Sequence, residues 1–203
     1  MEFFNPRDEF EKTRHRLPHW RQGEVPVFVT FRLSDSLPKA VFEAWLDRRE
    51  AFLESHPEPW DDETEEVYYR QFSDQIDEEL DAAHGCCVLR DPRVSSIVED
   101  RLRKFHNDRY RLLNFVIMPN HVHVLFIPSG GETLPETLKG WKGVSSRLVH
   151  REGLSELNPF WQPDYFDRLI RGPEHLDRTF EYIRENPAKA RLCSGHRYWE
   201  DQA

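Results

Sequence analysis

Residues 110 to 127 read YRLLNFVIMPNHVHVLFI, two runs of strand-forming residues separated only by Pro119-Asn120. Tyr110 to Met118 and His121 to Ile127 are rich in Leu, Ile, Val and Phe, and a two-residue connection between such runs predicts an antiparallel hairpin. Side chains alternate along a strand, so His121 and His123 project from one face of the second run while Val122 and Val124 project from the other. Two imidazoles one pleat apart can grip one metal ion. An isolated His-x-His is nonetheless weak evidence, because one buried and one exposed histidine satisfy the same pattern.

Working outward, DPRVSSIVEDRLRKFHNDRY precedes the hairpin, with Asp91 placed to cap a helix, Pro92 at its first position, and Val94, Ile97, Val98, Leu102 and Phe105 along one side. Further upstream, Glu24 to Leu33 (EVPVFVTFRL) alternates Val25, Val27, Val29, Phe31 and Leu33 against Pro26, Phe28, Thr30 and Arg32, the pattern of a strand with one wholly apolar face. Downstream, TLPETLKGWKGVSSRLVHREG reads as a helix burying Leu134, Leu138, Trp141, Val144 and Leu148, with Lys139, Lys142, Arg147 and Arg151 making its other side basic. Phe160 to Arg171 (FWQPDYFDRLIR) reads as another strand, with Pro163 at an edge or bulge. A last helix is expected from Pro173 to just before Pro187, since proline disfavours a helical residue ahead of it.

Between the first strand and Asp91 lies a region of different composition. Ser34 to Gly85 holds 16 Asp and Glu against four Lys and Arg, a local charge of −12 that leaves +3 for the remainder of a chain whose total is −9. Two amphipathic helices are expected there. The first has Ser36 as its cap, apolar positions at Val41, Phe42, Trp45, Leu46, Phe52 and Leu53, and an end near His56; the second uses Val67, Tyr68, Phe72, Ile76 and Leu80. Because the acidity is regional, the net charge does not exclude a basic groove and a nucleic-acid partner. With this insertion at about 34–85 set aside, the order is strand, helix, strand, strand, helix, strand, helix. That is an α+β plan, a ferredoxin-like antiparallel sheet of split βαβ units with helices on one face and an added C-terminal helix, in a single domain over 1–203.

The three cysteines, Cys86, Cys87 and Cys193, are odd in number and two are adjacent, so neither a disulfide framework nor a Cys-x-x-Cys metal spacing is present. A reducing cytoplasm fits that usage. The N-terminal stretch has no apolar signal core, and no apolar run approaches the roughly 20 residues that span a bilayer. Neither export nor membrane insertion is expected.

Near the C-terminus, EYIRENP places Tyr182 and Asn186 four apart on one helix face. An amide oxygen there can complete a metal site and a phenol can stand beside it; equally, Tyr182 can belong to an apolar stripe and Asn186 can end the helix. Taken together, MPNHVHVL, WQPDYFDRLIR and EYIRENPAKA, in this order, resemble the single-tyrosine HUH transposases, and most closely the REP-associated tyrosine transposases of bacteria. The opening RLPHWRQGEVPVFVTFRLSDSLP resembles that group as well, so the likeness runs from about Leu17 to Leu192.

The resemblance implies His121 and His123 as metal ligands, Asn186 as the third, Tyr182 as the nucleophile and Mg2+ or Mn2+ as the ion. It implies attack on single-stranded or hairpin DNA, giving a 5'-phosphotyrosine link and a free 3'-hydroxyl. Tyr165 is a rival nucleophile, but no Tyr-x-x-x-(Asn or Gln) pattern follows it. A phenol, with an ordinary pKa of about 10, is a poor nucleophile at neutral pH and needs a phosphate whose charge is drawn off by a cation. Two imidazoles and an amide make an uncharged, open site suited to such an ion. Lys139, Lys142, Arg147, Arg168 and Arg171 are the candidates for phosphate contacts, with Trp141 or Trp161 as surfaces for stacking bases. Two departures stand out: the acidic insertion is longer than the minimal fold needs, and Arg191 holds a place where the family often has glycine. Two other readings compete: a hairpin-binding protein that no longer cuts, and a metal-dependent hydrolase of small phosphoesters. Monomer and homodimer both remain open.

Overall fold

The predicted hairpin forms as a pair of eight-residue strands, β4 (Tyr110–Ile117) and β5 (His121–Pro128), in a computed structural model that describes residues 1–5, 8–14, 18–57, 60, 62–129 and 131–202. Arg16 and Leu17 of the opening motif, Glu58, Pro59 and Asp61 of the acidic region and Gly130 of the loop after β5 lie outside the described residues. Preceding β4 in the chain are a short hairpin of β1 (Glu11–Arg14) and β2 (Pro18–Arg21), strand β3 (Val27–Arg32), helices α1 (Lys39–Ser55), α2 (Asp62–Tyr68), α3 (Asp74–Asp81) and α4 (Pro92–Arg103). Following β5 are α5 (Leu134–Arg151), β6 (Phe166–Leu169), α6 (Pro173–Lys189) and β7 (Arg197–Glu200).

The main sheet runs β6-β3-β5-β4-β7, antiparallel throughout. Leaving out β7, the strand met fourth in the chain lies beside the first, then the third and the second, as a ferredoxin-like split βαβ requires. Val27, Val29, Phe31 and Leu33 join Leu112, Phe115, Ile117, Val122, Val124 and Phe126 on one face, buried beneath α4 and α5. The opposite face carries Val116, Leu125 and Ile170 beneath α6, where Ile183 is fully buried.

The acidic region builds a small core of its own from Leu37, Phe42, Trp45, Phe52, Phe72, Ile76 and Leu80, with α2 and α3 joined through a π-helical turn at Tyr69–Ser73. It docks on the sheet through Phe166, whose ring meets Trp45 edge to face at 5.5 Å. Phe166 pairs with Thr30 in the ladder and so shares its face, which is the α6 face. The insertion and α6 therefore lie side by side over one side of the sheet.

Several expectations change. Ser36 does not cap α1; its buried hydroxyl closes the preceding turn on the Leu33 carbonyl at 2.8 Å, and Pro38 occupies the cap position without a side-chain bond. On α5 the buried line runs through Leu134, Thr137, Leu138, Trp141, Ser145 and Val149, while Val144 and Leu148 are half-buried. Ladder pairing of β6 begins only at Phe166, past Pro163, with an isolated bridge from Leu33 to Trp161. Pro187 lies inside α6, because it forfeits only its own N–H bond and the last turn is closed by Ala190 N–H donating to Asn186 O and Leu192 N–H to Pro187 O. Strands β1, β2 and β7 were not expected. Asp91 caps α4 as predicted, accepting from Arg93 N at 2.9 Å.

Candidate active site

Strand alternation delivers both histidines of β5 to the α6 face, and both are completely buried. Their surroundings decide which ring nitrogens carry protons. Asn120 donates its amide nitrogen to the His84 carbonyl at 3.2 Å, so its oxygen faces His121 and must accept from Nδ1–H, at 2.8 Å. His121 Nε2 is thereby left as a lone pair. It points at His123 Nε2, only 3.0 Å away.

At its other nitrogen, Nδ1, His123 meets the Thr30 hydroxyl at 2.7 Å. Without a cation, Thr30 donates to Nδ1 and His123 Nε2–H donates to His121, which satisfies both imidazoles. Were His123 to give its Nε2 lone pair to a cation, its proton would sit on Nδ1 and the same hydroxyl would accept it. Burial lowers the His121 pKa to about 3, and burial together with His121 holds His123 well below the ordinary range, so both rings are neutral at physiological pH.

Helix α6 supplies the remaining pieces. Asn186 is wholly buried and neither its amide oxygen nor its amide nitrogen has a hydrogen-bond partner. Such an orphan costs about 1–3 kcal/mol in a folded protein and asks for a missing ligand. One turn earlier, Tyr182 packs edge to face on His123, ring centroids 5.3 Å apart, and on Phe28, with its hydroxyl 3.5 Å from His123 Nε2. All four residues lie on one face of the sheet, and two neutral imidazoles with an amide oxygen could together hold a divalent ion. Among the described residues no cluster of three His, Cys, Asp or Glu side chains suits a metal, so a site here depends on the Asn186 amide.

Other groups at this face were not anticipated. Thr30 and Asn120 orient the histidines; the hint was present, since Thr30 alternates on the polar side of β3 and Asn120 opens β5. Lys189 Nζ lies 5.0 Å from the Tyr182 ring centroid. Arg32, 3% exposed, pairs across the ladder with His121 and donates to the Ser36 hydroxyl, and burial lowers its pKa to about 10 against the opposing pull of Asp164.

Asp81 of α3 faces this edge of α6. Burial raises its pKa to about 6, Lys189 opposes the shift and Glu78 adds to it. Below pH 3.8, its ordinary value, the carboxyl is neutral in the folded and unfolded chain alike; as pH rises to about 6 the folded chain resists ionisation, so stability falls across that window. Asp81→Asn is expected to melt higher than wild type above pH 6 and alike below 3.8, measured by thermal denaturation across pH; a gain at all pH values would refute the assignment.

The five proposed DNA contacts separate. Lys139, Lys142 and Arg147 are on α5, across the sheet from the histidines, and Lys142 is engaged as a strut, donating to the Pro163 and Asp164 carbonyls at 2.8 and 3.3 Å. Arg168 pairs with Phe28 in the ladder and thus shares the α6 face, and Arg171 precedes α6, its guanidinium over Phe4. Trp141 and Trp161 cannot stack bases: both are core residues, their indole N–H groups bound to Tyr110 and Ser145. Tyr165 is in the core beneath α5, on the wrong face for the histidines, and burial pushes its pKa upward, with Asp167 and Asp164 adding to the shift.

Cys86, Cys87 and Cys193 are free, and no described helix is long and apolar enough to cross a membrane. No curated protein matches the chain. Among solved structures, the chain is similar to a REP-associated tyrosine transposase bound to a REP hairpin (14% identity, TM-score 0.41, covering 92% of this chain and 73% of that one). It is likewise similar to a candidate transposase from Deinococcus radiodurans R1 (14% identity, TM-score 0.40, covering 92% and 97%). Residues 88–186 match the family described as transposase, IS200 like. That matched stretch is similar to the IS200-like transposases and carries both histidines, Tyr182 and Asn186.

Proposed function

We propose that this protein is a single-tyrosine DNA strand transferase that cuts single-stranded DNA beside a short hairpin and rejoins it. The observation that carries the reading is the convergence of the two Nε2 atoms, 3.0 Å apart, the Tyr182 hydroxyl 3.5 Å from one of them, and the orphaned Asn186 amide. His121, His123 and Asn186 would hold Mg2+ or Mn2+, which when bound draws negative charge from the phosphate. Tyr182 Oη attacks phosphorus, forming an O–P bond as the bond to the 3'-oxygen breaks; the phenolic proton is lost and the leaving oxygen becomes a 3'-hydroxyl. Attack by a 3'-hydroxyl on the phosphotyrosine reverses these steps, so strands rejoin without ATP. Lys189 places positive charge beside the Tyr182 ring, where a phosphate would approach, and Phe28 and His123 hold that ring in place. His121, His123, Tyr182 and Asn186 all come from the same chain, so this reading needs no catalytic side chain from a second copy.

The test is to incubate the protein with a labelled hairpin oligonucleotide bearing a single-stranded flank, with Mg2+ or Mn2+, and look for a covalent adduct that survives denaturation. Absence of adduct with hairpins from its own genomic surroundings favours the non-cleaving hairpin binder, and turnover of small phosphoesters without adduct favours the hydrolase. Asn120→Ala removes the acceptor that fixes the His121 tautomer and is expected to weaken Mn2+ binding roughly 10- to 100-fold in titration calorimetry. Unchanged affinity would argue against His121 as a ligand.

A further inference from the structure

Where the chain leaves α6 it forms one wall of a cavity of about 650 Å³, whose opposite wall is the start of α4. Arg90, Arg191, His196 and Arg197 line it, together with Ser95 and Ser194, and no carboxylate is among its lining residues. In a chain of charge −9 that is a pronounced local reversal of sign. The four basic groups are not equivalent. Arg197 is fully engaged, donating to Ser95 Oγ, Glu99 and the Pro92 carbonyl at 2.8, 3.0 and 3.1 Å, and so fixes the wall. Arg90 and Arg191 are exposed and, among the described residues, form no ion pair. The buried Nδ1 of His196 has no hydrogen-bond partner.

Two backbone details bear on purpose. Arg191 has φ 54, a left-handed conformation that favours glycine, so the arginine side chain is kept at a position its backbone does not favour. Gly195, φ 79, lies so close to Arg90 that an added Cβ would come 3.1 Å from Arg90 Cγ, which lets that side chain lie flat across the loop. Both walls are tied to the candidate active site. Leu192 N–H bonds to the carbonyl of Pro187, beside Asn186, and Leu89 N–H bonds to that of Pro119, in the turn that opens β5.

We infer that this cavity receives an unpaired nucleotide of the DNA strand next to the attacked phosphodiester, its phosphate held by Arg90 and Arg191. The volume falls within the roughly 300–1,000 Å³ of ordinary small-ligand pockets and accommodates a nucleotide. The inference rests on the strand-transferase reading for its ligand, and is tested apart from the chemistry.

Binding is measured by fluorescence anisotropy in EDTA, over a salt series, for a labelled hairpin with and without its single-stranded flank. Loss of two phosphate contacts in Arg90→Ala/Arg191→Ala should weaken binding of the flanked hairpin at least tenfold and reduce the slope of log K against log salt by about 1.4. The bare hairpin should bind both proteins alike. Arg191→Gly should melt higher than wild type yet bind the flanked hairpin more weakly, a combination that a purely structural arginine would not give. Equal affinity and slope for wild type and the double variant overturn the inference, as does an equal loss on the bare hairpin. If wild type forms the covalent adduct and the variants bind normally, the cavity assignment fails alone; if the flank-specific loss appears without any adduct, the cavity stands and the cleavage reading falls.

Discussion

Tyr182→Phe is expected to abolish the covalent protein–DNA adduct and lower strand cleavage by roughly 10³-fold or more, while hairpin affinity stays within about twofold of wild type. The substitution deletes one oxygen. The ring keeps its edge-to-face contacts with His123 and Phe28, so α6 stays seated and neither histidine is disturbed. Tyr165→Phe is the matched control. Its ring is in the core beneath α5, on the other face of the sheet, and its loss of a hydroxyl is expected to leave the adduct intact. Adduct formed by Tyr182→Phe but absent from Tyr165→Phe would reverse the nucleophile assignment, and adduct from both would point to a different residue altogether.

The sequence was most informative where one element's two faces differ in chemistry. In HVHVLF, alternation separates histidine from valine and phenylalanine, and the same alternation in β3 separates Thr30 and Arg32 from the Val27, Val29 and Phe31 line; matching these faces sets the sheet. The placement of α5 was legible too, although its basic side invited another conclusion. Both crossover helices of a split βαβ plan pack on the apolar face, and that face of β5 is the valine face, so Lys139, Lys142 and Arg147 had to be across the sheet from His121. The two tryptophans carried the same warning, since Trp141 falls on the apolar line of its helix. Strand β7 left no comparable trace: RYWE is four residues long at a sheet edge, with no period to read. Nor does a single sequence reveal that the acidic helices lie beside α6. That arrangement depends on Phe166 meeting Trp45, a contact between residues far apart in the chain.

Asn186→Leu should separate stability from function at the metal site. In the wild type a primary amide is sealed from solvent with both polar atoms unpartnered, a state that costs roughly 1–3 kcal/mol when no ion is bound. Leucine has a similar branched shape without the polar atoms, so in EDTA the variant is expected to be more stable by an amount of that order, raising Tm by about 2–4 °C per kcal/mol for a chain of this size. Added Mn2+ should raise the wild-type Tm through binding to the folded state alone, and should leave the variant nearly unmoved. Adduct formation should fall with the lost ligand. These two responses have opposite signs, which no general damage to α6 would produce: misfolding lowers stability and activity together. A variant less stable than wild type in EDTA would mean that the amide already has a partner in the folded chain, and the case for Asn186 as the third ligand would lose its main support.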